Sequence, residues 1–439
     1  MALSITLSLT ACLLLPQDKP AAENVQTVLA KGDLDTLRNR VREYFTARDA
    51  TYDAPESRKE AARKKEEQAR EKLKKEWAAR VGSKEQAVLA SLADLRAIFT
   101  GCFEFERQSG NGEVRPMKPK KMPAYDLVLP KKYRPDTPIP TVLLMRGHTG
   151  EKWVSASEWY VSTWKGAAEA GDFAFVMPGV DDSIDFDPPA NLAEAGGQAT
   201  DAARRMTTLG SLGAASSAIH VDRDRIYLDC GKGTCAWGLR LATYFPHLFA
   251  GIVLRHPAEV TDLRLDSLAG VPFLLLRTDE TRAACDQLAE QLNKLKDGTA
   301  TLLDAKGAYP HAESAPEIAA WLKGRVRDLM RPHVVVANNH DQCLRAFWVY
   351  MGTAEPIAQT PPDLQPRLEV VADKTTNKLT ITARGVNDFM VRLNDQLVDL
   401  DKEIVAVING KAEAPFKLHR SFNDLLELVY RGSGRDPGM

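Results

Sequence analysis

Cysteine is scarce in this chain, with six among 439 residues, and one of them, Cys12, lies in the first apolar stretch. The other five, Cys102, Cys230, Cys235, Cys285 and Cys343, are an odd number without repeated spacing, which excludes a disulfide framework as the basis of the fold. Cys230 and Cys235 lack the second pair and the histidine spacing of a zinc site, so they read as small buried apolar side chains. No cofactor and no metal centre is expected. Excess charge is missing too: 58 basic against 59 acidic residues leave no global field to attract nucleic acid or an anionic membrane surface. Beyond the N-terminus no apolar run approaches the roughly 20 residues of a membrane span. What remains is an ordinary balance, 44% hydrophobic and 27% charged, enough for buried cores in about three domains.

The first residues differ from the rest. From Ala2 to Leu15 there is no charge, and Pro16-Gln17-Asp18-Lys19-Pro20 ends the run abruptly, as the apolar segment of an export signal over residues 1–20 would. Three readings stay open: a cleaved secretory signal, a lipid anchor at Cys12 after Leu9-Thr10-Ala11, and a retained core helix. An exported protein, periplasmic or extracellular, is the expectation.

Composition then divides the chain. Residues 21–110 read as a charged helical region, in which Glu60/Lys64, Glu66/Arg70, Glu71/Lys75 and Glu76/Arg80 are spaced for ion pairs along one solvated helix. Ala62, Ala69, Leu73 and Trp77 leave that helix a narrow apolar stripe, suited to a hairpin with Asp35 to Tyr44 or Ala87 to Phe99. Residues 111–124, rich in Gly, Pro and Lys, read as a linker. Over 125–330 short apolar runs alternate with helical stretches, which predicts an α/β domain with a mostly parallel sheet covered on both faces. Ligand chemistry in such a sheet belongs at the carboxyl ends of its strands. From 333 to 439 the period becomes two, giving a small all-β, sandwich-like domain with an Asn409-Gly410 hairpin and one C-terminal helix begun by Ser421.

The informative segment runs Asp222-Arg223-Asp224-Arg225-Ile226-Tyr227-Leu228-Asp229-Cys230-Gly231-Lys232-Gly233-Thr234-Cys235, then a helix ending in Phe245-Pro246. It resembles the α/β-hydrolase superfamily, in its esterase, dienelactone-hydrolase and prolyl-oligopeptidase-like branches, where such a strand enters a G-x-S-x-G turn. Counted without gaps, the nucleophile position of that resemblance falls on Lys232. The small residues Cys230 and Thr234 two places either side fit a sharp strand-to-helix turn. The resemblance further implies an oxyanion loop at Arg146-Gly147-His148-Thr149-Gly150 with Gly233 opposite it, an acid at Asp279 or Glu280, and a histidine near Ala308, where His311 is the nearest candidate. The flanking regions, including Ser91 to Ile98 and Asn394 to Lys402, resemble exported multidomain hydrolases of planctomycete-type bacteria.

An ammonium at Lys232 cannot replace an activated serine unless its pKa is strongly depressed, and Asp229 beside it acts the other way. Three chemistries remain: an amine nucleophile at Lys232, a displaced Cys or Thr nucleophile with His311, and loss of hydrolase chemistry. The leading expectation is an exported α/β-hydrolase-fold protein that binds or scaffolds, toward a small molecule, a polysaccharide or a protein. The alternatives are an ester or peptide hydrolase with an unorthodox nucleophile and a binding module in the β domain. Gly231-Lys232 is no phosphate loop, since Ile226 and Gly233 stand where that motif needs Gly and Ser or Thr. His247 reads as structural, His256 as a residue at a strand's carboxyl end, and Asp181, Asp182, Asp185 and Asp187 as an acidic loop that could take a cation.

Overall fold

The computed structural model describes residues 5–9 and 27–432, apart from 106, 121, 151, 180–185, 187–196, 258–262, 338, 355, 357–359 and 362. The expectations for Cys12 and for the acidic loop Asp181, Asp182, Asp185 and Asp187 fall outside the described residues. Of the first twenty residues, Ile5–Leu9 form a strand. No helix among the described residues is long and apolar enough to cross a membrane.

Four helices come first: α1 (Lys31–Asp53), α2 (Glu56–Val81), α3 (Glu85–Ala90) and α4 (Leu92–Phe99). Helix α1 buries Leu34, Leu37, Val41, Tyr44, Phe45 and Arg48, the three-and-four spacing of one helical face. Over its 26 residues α2 buries only Leu73, Trp77 and Val81, and it is tied to α1 by Arg80–Asp33 (2.5 Å) and Arg40–Glu76 (3.7 Å). Ser91 caps α4, and the fully buried Asp94 accepts the N–H groups of Val28 and Leu29 at 2.8 and 2.9 Å.

The central sheet comprises β1 (Val114–Met117), β2 (Tyr125–Val128), β3 (Ile139–Met145), β4 (Ala174–Pro178), β5 (Val221–Cys230), β6 (Gly251–Leu254), β7 (Pro272–Arg277) and β8 (Thr299–Asp304). Its spatial order is β1-β2-β4-β3-β5-β6-β7-β8, and only β2 runs against the others. This mostly parallel sheet is consistent with the α/β-hydrolase fold that the sequence resemblance implies. Strand β1 lies within the stretch read as a linker. An edge strand pairs on one side alone, so it tolerates Pro116, and its Pro- and Lys-rich composition hides it.

Alternation along the strands sorts the core into two faces. Leu143, Met145, Ile226, Leu228, Ile252 and Leu254 face α6 (Gly197–Ala218), α7 (Cys235–Tyr244) and α8 (Arg282–Asn293). Val142, Leu144, Tyr227, Val253, Leu274 and Leu276 face α9 (Ala315–Lys323) and the segment that begins as α5 (Ala156–Tyr160). That segment is no continuous helix: the α turn is followed by a wider turn at Val161–Lys165 and a tight turn at Ala168–Asp172.

Two sheets follow. One joins β9 (His333–Val336), β12 (Arg367–Asp373), β13 (Lys378–Arg384), β15 (Val405–Ile408) and β16 (Lys411–Ala412); the other joins β10 (Arg345–Ala346), β11 (Val349–Ala354) and β14 (Val386–Leu393), with Ile5–Leu9 parallel to β14. Asn409 and Gly410 both take positive φ, 48° and 82°, as the tight hairpin between β15 and β16 requires. Val334, Val336, Leu368, Val391 and Leu393 belong to the same continuous core as α6–α8. The last helix, α10 (Phe422–Gly432), packs its Phe422, Leu425, Leu426 and Tyr430 into the core of α1–α4. Trp77 stacks on Phe422 at 3.6 Å, and Arg48 grips Glu427 with two hydrogen bonds of 2.6 and 3.0 Å.

Candidate functional site

Residues 231–234 turn the chain from β5 into α7 at the carboxyl end of the sheet. The turn places its positive φ at Gly233, +85°, one residue beyond Lys232. In a nucleophile turn the strained residue carries the attacking side chain. Here that residue has none. The imidazole of His148 lies in the space instead, with ring atoms 3.2–3.3 Å from where a Cβ on Gly233 would stand. Trp159 and the Tyr309 hydroxyl crowd Gly147, and Trp159 crowds Gly231, so neither glycine has room for a side chain.

Three of the backbone donors around the turn are occupied. The N–H of His148 donates to the Lys232 carbonyl at 3.0 Å, that of Thr234 to Gly231 at 3.0 Å, and that of Lys232 to the Tyr309 hydroxyl at 2.7 Å. An oxyanion hole needs such donors aimed at open space. The Thr234 hydroxyl and the Cys235 thiol are equally committed: Thr234 shares its proton between the carbonyls of Arg146 and Gly231, and Cys235 between those of Cys230 and Gly231. Burial pushes the Cys230 thiol well up and the Cys235 thiol up to about 12, so neither is a thiolate near neutral pH.

The candidate residues are brought together only in part. Lys232 is about half exposed, with Nζ 3.7 Å from Glu280 Oε1, and His256 Nε2 approaches the same oxygen at 3.5 Å. Asp279 instead points to solvent, 99% exposed, and pairs with Arg282 at 2.9 Å. His311 is buried, in left-handed backbone conformation at φ 66°, and its Nδ1 bonds the Gly307 carbonyl at 3.1 Å. A carbonyl only accepts, so Nδ1 carries the proton and Nε2 presents a buried lone pair. Nε2 has no hydrogen-bond partner among the described residues. His311 thus keeps the tautomer of a general base, but a neutral carbonyl stands where a carboxylate would orient it.

Beneath the turn lies a pair that sequence reasoning missed. Asp229 and Arg255, at the ends of β5 and β6, are both fully buried and meet through two hydrogen bonds of 2.8 and 2.9 Å. Trp164 Nε1 donates to the same carboxylate at 2.9 Å, and Arg255 donates to the Pro310 carbonyl at 2.9 Å, which ties the sheet to the loop carrying Tyr309 and His311. No sequence spacing signals Arg255, although Arg255-His256 directly follows β6.

Burial lowers the pKa of His311, helped by the Arg255 charge, and that of His256, where Lys232 adds to the effect and Glu280 opposes it. His247 is driven well below its ordinary 6.5 by burial, with Arg345 and Arg327 adding repulsion. Each such histidine stays neutral in the fold while its unfolded counterpart takes up a proton, so stability is full above about pH 6.5 and falls as pH drops toward the folded pKa. Buried Asp201 and Asp224, with raised pKa values, act in the opposite sense. The urea midpoint should therefore fall between about pH 7 and 5.5, and His247→Gln should flatten that slope; an unchanged slope would refute the assignment to His247.

No family model matches this chain, and no curated protein does. Solved structures do. A thermostable esterase is similar at 16% identity over 49% of this chain and 63% of its own, with a TM-score of 0.36. An S-formylglutathione hydrolase from Agrobacterium tumefaciens matches at 14% over 51% of this chain and all of its own, TM-score 0.38. FphF, a fluorophosphonate-binding serine hydrolase of Staphylococcus aureus, matches at 14% over 49% and 98%, TM-score 0.35. These are likenesses of fold over about half of this chain. The strand order carries the assignment: residues Val114–Asp304 build an α/β-hydrolase-type sheet, and a β domain follows it.

Proposed function

We propose that this protein is an exported α/β-hydrolase-fold chain that has lost serine-type catalysis and acts by binding. Its contact region is the strand-end surface around Lys232, Glu280 and His256, and its partner a small molecule, a polysaccharide or a protein. One observation carries the reading: no hydroxyl or thiol among the described residues hydrogen-bonds His311 Nε2. The raised thiols of Cys230 and Cys235 and the solvent-facing Asp279 support it. Nothing in this setting prepares an amine nucleophile, because Lys232 is half exposed and its Nζ lies beside the Glu280 carboxylate.

The test is incubation of the full chain with a fluorophosphonate probe and with p-nitrophenyl acetate. The expected result is no time-dependent labelling and hydrolysis no faster than for heat-denatured protein. Stoichiometric labelling of a single residue would overturn the proposal. Lys232→Ser should remain inactive, since a serine there lies one residue before the strained position and His311 is oriented by the Gly307 carbonyl and not by a carboxylate; turnover by this variant would show that the rest of the machinery persists.

A further inference from the structure

We infer that Asn293, the last residue of α8, guards the open edge of the central sheet and keeps a second copy of this chain from adding its own β8 there. Strand β8 pairs with β7 on one side, and no strand among the described residues lies beyond it. An open edge offers a row of unpaired N–H and C=O groups to any extended segment, above all to the identical strand of another copy. Proline, basic side chains or a covering element blunt such edges. At the other end of the same sheet β1 carries Arg115 and Pro116. Strand β8 reads Thr-Ala-Thr-Leu-Leu-Asp, without proline or a basic residue, and Thr301 and Leu302 are exposed. Nothing in the strand itself resists pairing before Asp304.

The protection comes from α8 instead. Asn293 Nδ2 donates to the Ala300 carbonyl at 3.1 Å, and the Ala300 N–H donates to Asn293 Oδ1 at 2.9 Å. A side-chain amide thus exchanges both bonds with one residue, as a residue of a neighbouring strand would. These are the outward groups of Ala300, since the ladder toward β7 runs through the alternate residues, with the Ala305 N–H donating to the Arg277 carbonyl at 2.8 Å. The approach depends on Gly298, where a Cβ would stand 2.4 Å from the Leu292 carbonyl oxygen and 2.7 Å from Asn293 Cα. Only glycine lets the end of α8 lie so close to the start of the strand. The same device extends a ladder in the β domain: just past β15, Asn409 Oδ1 accepts from the Ala383 N–H at 2.9 Å and its Nδ2 donates to the Ala383 carbonyl at 3.2 Å. On β8, Ala300 is plugged and Asp304 is charged, so Leu302 alone between them offers an open, uncharged stretch of edge. A ladder needs several such residues.

The test is sedimentation of the full chain beside Asn293→Ala, with amide hydrogen exchange measured on dilute samples of both. Alanine is the better helix former, so α8 should persist in the variant. At tens of micromolar chain the weight-average mass of Asn293→Ala should rise at least twofold over the wild type. Asn293→Ala/Thr301→Lys, with a lysine in the open edge, should return to the wild-type mass. In the dilute wild type the Ala300 amide should exchange roughly tenfold more slowly than the outward Leu302 amide, and Asn293→Ala should erase that difference. An unchanged mass in folded Asn293→Ala, association that survives Thr301→Lys, or a wild-type Leu302 amide as protected as that of Ala300 would each overturn the inference.

Discussion

Arg255→Met should cost about 3–5 kcal/mol of folding stability, a large loss for a change that leaves no surface trace. Neither Arg255 nor Asp229 is exposed to water, and the carboxylate accepts from both Arg255 and Trp164. Removing the guanidinium strands a buried anion with one remaining side-chain donor and also releases the Pro310 carbonyl. Asp229→Leu should cost a similar amount from the opposite side. The double variant is the discriminating measurement: with both charges gone the penalty of an unpaired ion vanishes, so it should be clearly more stable than either single variant. Urea unfolding of the four proteins measures this cycle. Additive losses would show that the two groups do not act as a pair.

Trp77→Ala should cost about 3–5 kcal/mol in the helical unit, the range for truncating a buried aromatic side chain. Trp77 is the main apolar contribution of the strongly charged α2, and its ring lies against Phe422 of α10. Phe422→Ala should act similarly. The double variant should lose less than the sum, because each single change already empties the same contact. Loss of α2 helicity at lower urea than the rest would appear as a separate transition in circular dichroism. A loss below about 1 kcal/mol would show that α2 is held by its ion pairs alone.

The central sheet was legible because its inner strands, Gly251–Leu254 among them, are buried throughout and therefore read as apolar runs. Strand β1 was not legible, since an edge strand with Pro116 carries little of that signal. The turn after β5 was visible from its small residues, but its strained position was not. Counting places Lys232 at the apex, whereas the backbone takes its positive φ at Gly233, the residue to which that conformation is cheapest. His311 was legible as the lone histidine of its loop. Glu280, named beside Asp279, proved to be the carboxylate facing Lys232 and His256. Arg255 and Asp229 lie 26 positions apart, and only the parallel pairing of β5 with β6 brings their ends together. Local spacing holds no information of that kind.

The contact of α10 with α1–α4 also bears on how the protein comes into being during synthesis. Arg48 and its partner Glu427 stand 379 positions apart, with the whole sheet and the β domain threaded between them. The N-terminal helices are made before the sheet and the β domain, yet part of their apolar core, Phe422, Leu425, Leu426 and Tyr430, is made after both. Until then Trp77 and its neighbours have an open face, and closing so long a loop is among the slower steps a chain can take. The N-terminal helices thus wait for a partner made long after them, and during that interval a chaperone has most to hold.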